Sequence, residues 1–208
     1  MHTTRTPRIV LAIIVAALVL ATGLQQGRTQ AAPAASVLYV DAAGTCGGAS
    51  PCYATIQDAV DDASDGDEIR VASGSYTDLH TRGGTTQVLY VDKSLTLRGG
   101  YDPGDWDTPV WMSTVGAGNL GRCIVITGTI TVTLERITIT GGQPIGDDVE
   151  NDGSGVGGGI AIFGSTVTIS DAWFFENGIY RTNGLPAPAA RVDGAGIYAE
   201  NATLTVTG

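Results

Sequence analysis

Isoleucine, valine and leucine alternate with threonine along the middle of the chain. Ile124/Ile126, Ile130/Val132/Leu134 and Ile137/Ile139 form three short runs within 20 residues, with Thr at 127, 129, 131, 133, 138 and 140. Successive side chains on a strand point to opposite faces, so this period of two predicts strands with the aliphatic residues inward and the threonines toward water. The phase slips at Glu135-Arg136, where a bend between two strands is expected.

The pattern recurs. Gly159-Ile160-Ala161-Ile162-Phe163-Gly164-Ser165-Thr166-Val167-Thr168-Ile169-Ser170 returns 37 residues later as Gly196-Ile197-Tyr198-Ala199-Glu200-Asn201-Ala202-Thr203-Leu204-Thr205-Val206-Thr207. A fainter copy lies upstream, with Val132, Thr133 and Leu134 matching Val167, Thr168 and Ile169 at a spacing of 35. A repeat that cannot bury its own apolar face must stack on its neighbours. Three short strands per repeat predict an all-β fold, a parallel β-helix, with right-handed winding expected from the general handedness of parallel crossovers.

Ahead of the repeats, Val37-Leu38-Tyr39-Val40 reads as an opening strand. In residues 54–63, Ile56, Ala59, Val60 and Ala63 fall at i, i+3, i+4 and i+7, which predicts an amphipathic helix. A solenoid leaves open strand edges at its ends, so this helix is read as an N-terminal cap, and Asp61 and Asp62 as its solvated face. Ile69-Arg70-Val71, Val88 to Val91 and Leu95 to Leu97 supply the first strands. The organisation is therefore 1–35 as a signal peptide, 36–66 as strand, Cys loop and capping helix, and 67–208 as rungs. Two Gly-, Asp- or Pro-rich loops, 141–158 and 181–194, fall between matching repeats and are expected to emerge from one side of the solenoid.

The signal-peptide reading rests on Arg5 and Arg8, an apolar run from Ile9 to Leu20, and small residues ending in Ala32-Pro33-Ala34-Ala35. The run is short for a membrane span; an uncleaved anchor is the alternative. The chain carries a net charge of −10, and removal of residues 1–35 takes away three arginines and no acid, leaving −13. Such a surface repels nucleic acid and anionic lipid and suits a secreted or cell-surface protein or a divalent cation. Export makes a disulfide between Cys46 and Cys52 plausible, because the turn-rich Gly-Gly-Ala-Ser-Pro between them can bring them together. Cys123 lies in an apolar strand and is expected to be a buried thiol.

Several motifs carry a resemblance. Gly157-Gly158-Gly159-Ile160 with Phe174-Phe175-Glu176-Asn177 matches a GGA[IV] and FxxN pattern, and Gly194-Ala195-Gly196-Ile197 begins a second copy. The run Thr55-Ile56-Gln57-Asp58-Ala59-Val60, Gly66-Asp67-Glu68-Ile69-Arg70-Val71 and Gly74-Ser75-Tyr76 is similar to the cap and first turn of many β-helix proteins. Together these resemble the right-handed parallel β-helix superfamily with a pectin-lyase-like fold, and within it the repeats of bacterial polymorphic outer-membrane and related surface proteins. The resemblance implies a binding or structural role, adhesin-like and glycan-contacting, and says little of activity, because the fold hosts enzymes and adhesins alike. The alternative is a polysaccharide lyase or glycoside hydrolase whose active residues lie outside this span.

Candidate chemistry is sparse. No catalytic residue is assigned: His80, read as an exposed loop residue, is the single histidine after residue 35, and neither Gly-x-Ser-x-Gly nor Arg-x-Lys occurs. Calcium needs six to eight oxygen ligands; Asp147, Asp148, Glu150 and Asp152 are its candidate ligands, with Asp102, Asp105 and Asp107 a weaker set. Tyr101, Trp106 and Trp111 are candidate sugar-stacking faces for a polysaccharide or cell-surface glycan, against the ordinary reading of packing over a rung edge. Thr131/Thr133, Thr166/Thr168 and Thr203/Thr205 align as a Thr-x-Thr ladder of the kind that binds ice in some β-helices. Gly153-Ser154-Gly155-Val156-Gly157-Gly158 lacks the strand before it and helix after it that a dinucleotide site needs. The repeat register stops before a second FxxN, so the chain is expected to continue beyond Gly208.

Overall fold

The computed structural model describes residues 34–144, 157–178 and 196–208. It is a parallel β-solenoid of about four turns. Three sheets run along it. The first contains β1 (Val37–Val40), β2 (Cys52–Tyr53), β3 (Asp67–Ala72), β7 (Leu95–Tyr101), β10 (Thr131–Glu135), β13 (Thr166–Ser170) and β16 (Thr203–Thr207). The second contains β4 (Gly74–Tyr76), β8 (Ser113–Gly116), β11 (Ile137–Thr140) and β14 (Trp173–Phe175). The third contains β5 (His80–Arg82), β6 (Thr85–Val91), β9 (Arg122–Thr127), β12 (Ile160–Phe163) and β15 (Ile197–Glu200).

Register converts the sequence repeat into columns of like residues. Leu38, Ile69, Leu97, Leu134, Ile169 and Val206 stack in one column of the first sheet, and Leu95, Val132, Val167 and Leu204 in the next. Leu89, Ile124, Ile160 and Ile197 stack in the third sheet. All of these but Val206, which is exposed, belong to or pack against one continuous apolar core; each aliphatic side chain removed from water contributes roughly 1.5–3 kcal/mol. Alternation fixes the outer face as well. Thr96, Thr133, Thr168 and Thr205 share one outward column and Thr131, Thr166 and Thr203 another. Thr138 departs from the expected exposure: it is buried, and its hydroxyl donates to the sulfur of Met112 at 3.8 Å.

The bend between the first two sheets is made in the left-handed region, by Arg136 (φ 55°) and Asp171 (φ 49°), which accounts for the phase slip at Glu135-Arg136. Asn177 secures the next corner. Its Nδ2 donates to the carbonyl of Ile139 at 2.9 Å, and its Oδ1 accepts the N–H of Gly142 at 2.9 Å. The asparagine of the FxxN pattern thus satisfies backbone groups of the preceding turn, which a buried corner would otherwise leave unpaired.

Helix α1 (Ile56–Asp62) is capped by Thr55, whose hydroxyl accepts the N–H of Asp58, and it buries Ile56, Ala59 and Val60 in the core. Lys93 closes its other end, donating to the carbonyls of Val60 (3.0 Å), Asp61 (2.5 Å) and Ala63 (2.9 Å); a cation there also meets the negative end of the helix dipole. The face read as solvated is partly engaged. Arg82 grips Asp61 through two bonds of 2.6 and 2.7 Å, and this contact, ahead of a further bond from Gln57, holds the Asp61 carboxyl below its ordinary range. Arg82 belongs to an antiparallel hairpin of β5 and β6. His80 therefore lies on a strand, with its Nε2 buried, and not in an exposed loop: pairing with β6 draws this polar segment onto the sheet.

Cys46 and Cys52 form a disulfide, with Cα atoms 5.9 Å apart. The loop it closes is ordered by Asp41, whose carboxylate accepts N–H bonds from Ala43 (3.0 Å), Thr45 (3.4 Å) and Cys46 (3.0 Å), and the Thr45 hydroxyl (2.9 Å). Burial alone would raise the Asp41 pKa; these bonds outweigh it and leave the carboxyl below its usual range. Cys123 is buried and unpaired with another cysteine. Burial pushes its thiol up to about 11, against smaller opposing hydrogen bonds at Ala117 and Thr140. At pH 7–8 the folded protein should therefore resist alkylation completely, because the thiolate is the nucleophile. One thiol should label after denaturation without reduction, and three after reduction. Labelling of Cys123 in the native protein would contradict this burial.

Candidate functional site

The aromatic residues divide into an internal cluster and an exposed set. Tyr101 is only 1% exposed. Its ring lies 5.7 Å from that of Trp106, which in turn meets Tyr39 edge-on at 5.0 Å. Trp106 Nε1 donates to the carbonyl of Cys46 at 2.9 Å, and the Arg70 guanidinium lies 5.5 Å over Tyr101. Tyr101 is too buried to present a sugar-stacking face, whereas Trp106 is only partly buried. Both rings help clasp the disulfide loop to the first sheet. Trp111 differs, being 69% exposed.

The weaker acidic set is also committed locally. Asp102 Oδ1 accepts the N–H of Gly104 at 2.7 Å and Asp105 Oδ1 that of Asp107 at 3.0 Å, as turn-forming carboxylates do. Asp107 lies 3.7 Å from Arg70. Among the described residues no three potential ligands are grouped so as to hold a metal ion. Asp147, Asp148, Glu150 and Asp152 lie outside the described residues, as do most of the loops expected at 141–158 and 181–194.

A groove of about 260 Å³ runs along the bend between the first and second sheets, lined by Met112, Arg136, Asp171, Trp173, Val206 and Thr207. Register explains its make-up. Thr138 pairs with Trp173 and Ile137 with Ser113, so Met112 and Arg136, just before Ser113 and Ile137, and Asp171, two residues before Trp173, are brought to successive rungs of one corner. Such rungs are about 4.8 Å apart. Ile137 and Ile139 point inward, so Trp173, opposite Thr138, points outward and is 67% exposed. Phe175, two residues on, shares that face and is 47% exposed. Trp111 adjoins the groove residue Met112, and its carbonyl accepts the Nε–H of Arg136 at 3.2 Å, fixing the guanidinium beside the groove.

Chemically, the groove sets an exposed indole beside one donor and one acceptor. Arginine can only donate and an ionised aspartate can only accept. The arrangement suits a ligand with an apolar face and hydroxyls able to do both. Sequence reading missed Trp173, Arg136 and Asp171. The signal was present: Trp173 occupies an outward strand position where the matching places in other turns hold Thr138 and Thr114.

No protein-family model matches the chain, and no curated protein or solved structure matches it.

Proposed function

We propose that this is an exported, non-catalytic β-helix protein, right-handed and of the pectin-lyase-like type, that binds glycans at the corner groove. The observation that carries this reading is the outward Trp173, 67% exposed, beside Arg136 and Asp171 in a concave site. Exposed aromatic surface in a groove is characteristic of ligand sites, and an indole offers a rigid apolar face with a polar edge. The disulfide and the basic-apolar leader support export. Affinity electrophoresis or a glycan array tests the assignment. Trp173→Ala should weaken binding at least 10-fold, the scale on which central aromatic anchors act. Trp106→Phe should leave affinity unchanged. A protein that retains no glycan, or whose affinity is indifferent to Trp173→Ala, would remove the assignment.

A second reading rests on the threonine columns, whose register sets Thr131, Thr166 and Thr203 beside Thr133, Thr168 and Thr205 on one outward face. Regular hydroxyl and methyl spacings of about 4.8 by 6.7 Å would suit an ordered surface such as ice. Inhibition of ice recrystallisation, abolished by Thr168→Glu, is its test.

A further inference from the structure

The corner groove crosses rungs. Met112 stands just before β8, Arg136 just before β11 and Asp171 two residues before the start of β14, and these strands adjoin in the order β14-β11-β8. The groove therefore runs along the solenoid axis and not along a strand. Exposed indoles stand on its first and last rungs. Trp173 opens β14 and is 67% exposed; Trp111, beside Met112, is 69% exposed. Two rungs separate them, roughly 9.6 Å along the axis. A single sugar ring is too short to reach both, whereas an extended chain that crosses the corner is not.

Charge along this path is balanced. Glu135 and Ser170 are partners in register, so the residues that follow them, Arg136 and Asp171, are neighbours on adjacent rungs. One donates and the other accepts; their charges cancel, and both suit hydroxyls. A polyuronate would set a carboxylate against Asp171 on a chain whose net charge is already −10. Met112 adds an apolar, adaptable stretch of lining. We infer that the ligand of the groove is an extended, uncharged oligosaccharide laid along the solenoid axis, with Trp173 and Trp111 as its two stacking platforms. The inference rests on the reading of the corner groove as a glycan site.

A glycan array carrying linear neutral oligosaccharides and oligouronates, each from one to six residues long, is the test. It is probed with the full chain and two variants. Affinity for neutral chains should grow at least 10-fold from the monosaccharide to the hexasaccharide, and should exceed that for the matching uronates. Trp111→Ala should weaken hexasaccharide binding about 10-fold and leave monosaccharide binding unchanged. Trp173→Ala should weaken both. The Trp111 carbonyl that accepts from Arg136 is main chain and survives the substitution, so the loss reports the indole. Three results overturn the inference and leave the glycan site standing: preference for uronates, affinity that does not grow with length, or hexasaccharide binding that falls in Trp173→Ala but not in Trp111→Ala. Retention of no glycan, or indifference to both substitutions, removes the glycan site itself.

Discussion

Val167→Asp should unfold this protein at ordinary temperatures, while its neighbour Thr168→Asp should leave it folded. Val167 lies between Val132 and Leu204 in an inner column and is fully buried. Its replacement would place a carboxylate among aliphatic groups with no donor to receive it. The cost is more than about 4 kcal/mol, a large share of the stability of a domain this size. Thr168 stands in the outward column between Thr133 and Thr205, where a carboxylate stays hydrated and the cost is about 0.5 kcal/mol. Denaturant unfolding followed by circular dichroism measures both. Equal losses of stability would mean that the inward and outward faces of β13 are assigned the wrong way round.

The same alternation made most of the fold legible. Ile, Val and Leu at every second position specify strands, their faces and, through the 35- and 37-residue spacings, the partner of each strand. Where β3, β10, β13 and β16 were expected, they lie. The β5–β6 hairpin escaped because His80-Thr81-Arg82 has no apolar alternation; this segment is held by pairing with β6 and by the Arg82–Asp61 contact, neither of which is a local property. The contacts of Tyr101 and Trp106 were not legible in the sequence for a related reason. Aromatic residues near acidic turns look alike in sequence whether they face a ligand or clasp a loop, and the deciding contact, Trp106 to the carbonyl of Cys46, joins positions 60 residues apart. The groove lies between these cases. Repeat spacing brings Met112, Arg136 and Asp171 to one corner, but only the left-handed backbone at Arg136 and Asp171 turns that corner into a concave surface.

Glycines in the repeat carry a final consequence, since equivalent positions are not under equal constraint. Gly159 and Gly196 occupy the same place in successive copies and are partners in register. A Cβ on Gly159 would run into the carbonyl oxygen of Gly196, the oxygen that accepts the N–H of Ile160 at 2.8 Å, and would also crowd the side chain of Asn177. A Cβ on Gly196 would meet among the described residues only the edge of Phe174, at 3.9 Å, an ordinary contact. Neither glycine has a positive φ, so the difference is one of space and not of backbone conformation. Gly159→Ala should therefore push β12 and β15 apart and loosen the Asn177 bonds to Ile139 and Gly142, at a cost of about 3 kcal/mol. Gly196→Ala should change stability by no more than about 0.5 kcal/mol. Chemical denaturation of the two variants measures the gap, and hydrogen exchange locates it, with protection at Ile160 falling in Gly159→Ala alone. Equal stability of the two alanine variants would show that the turns do not stack in the register that places Gly196 over Gly159.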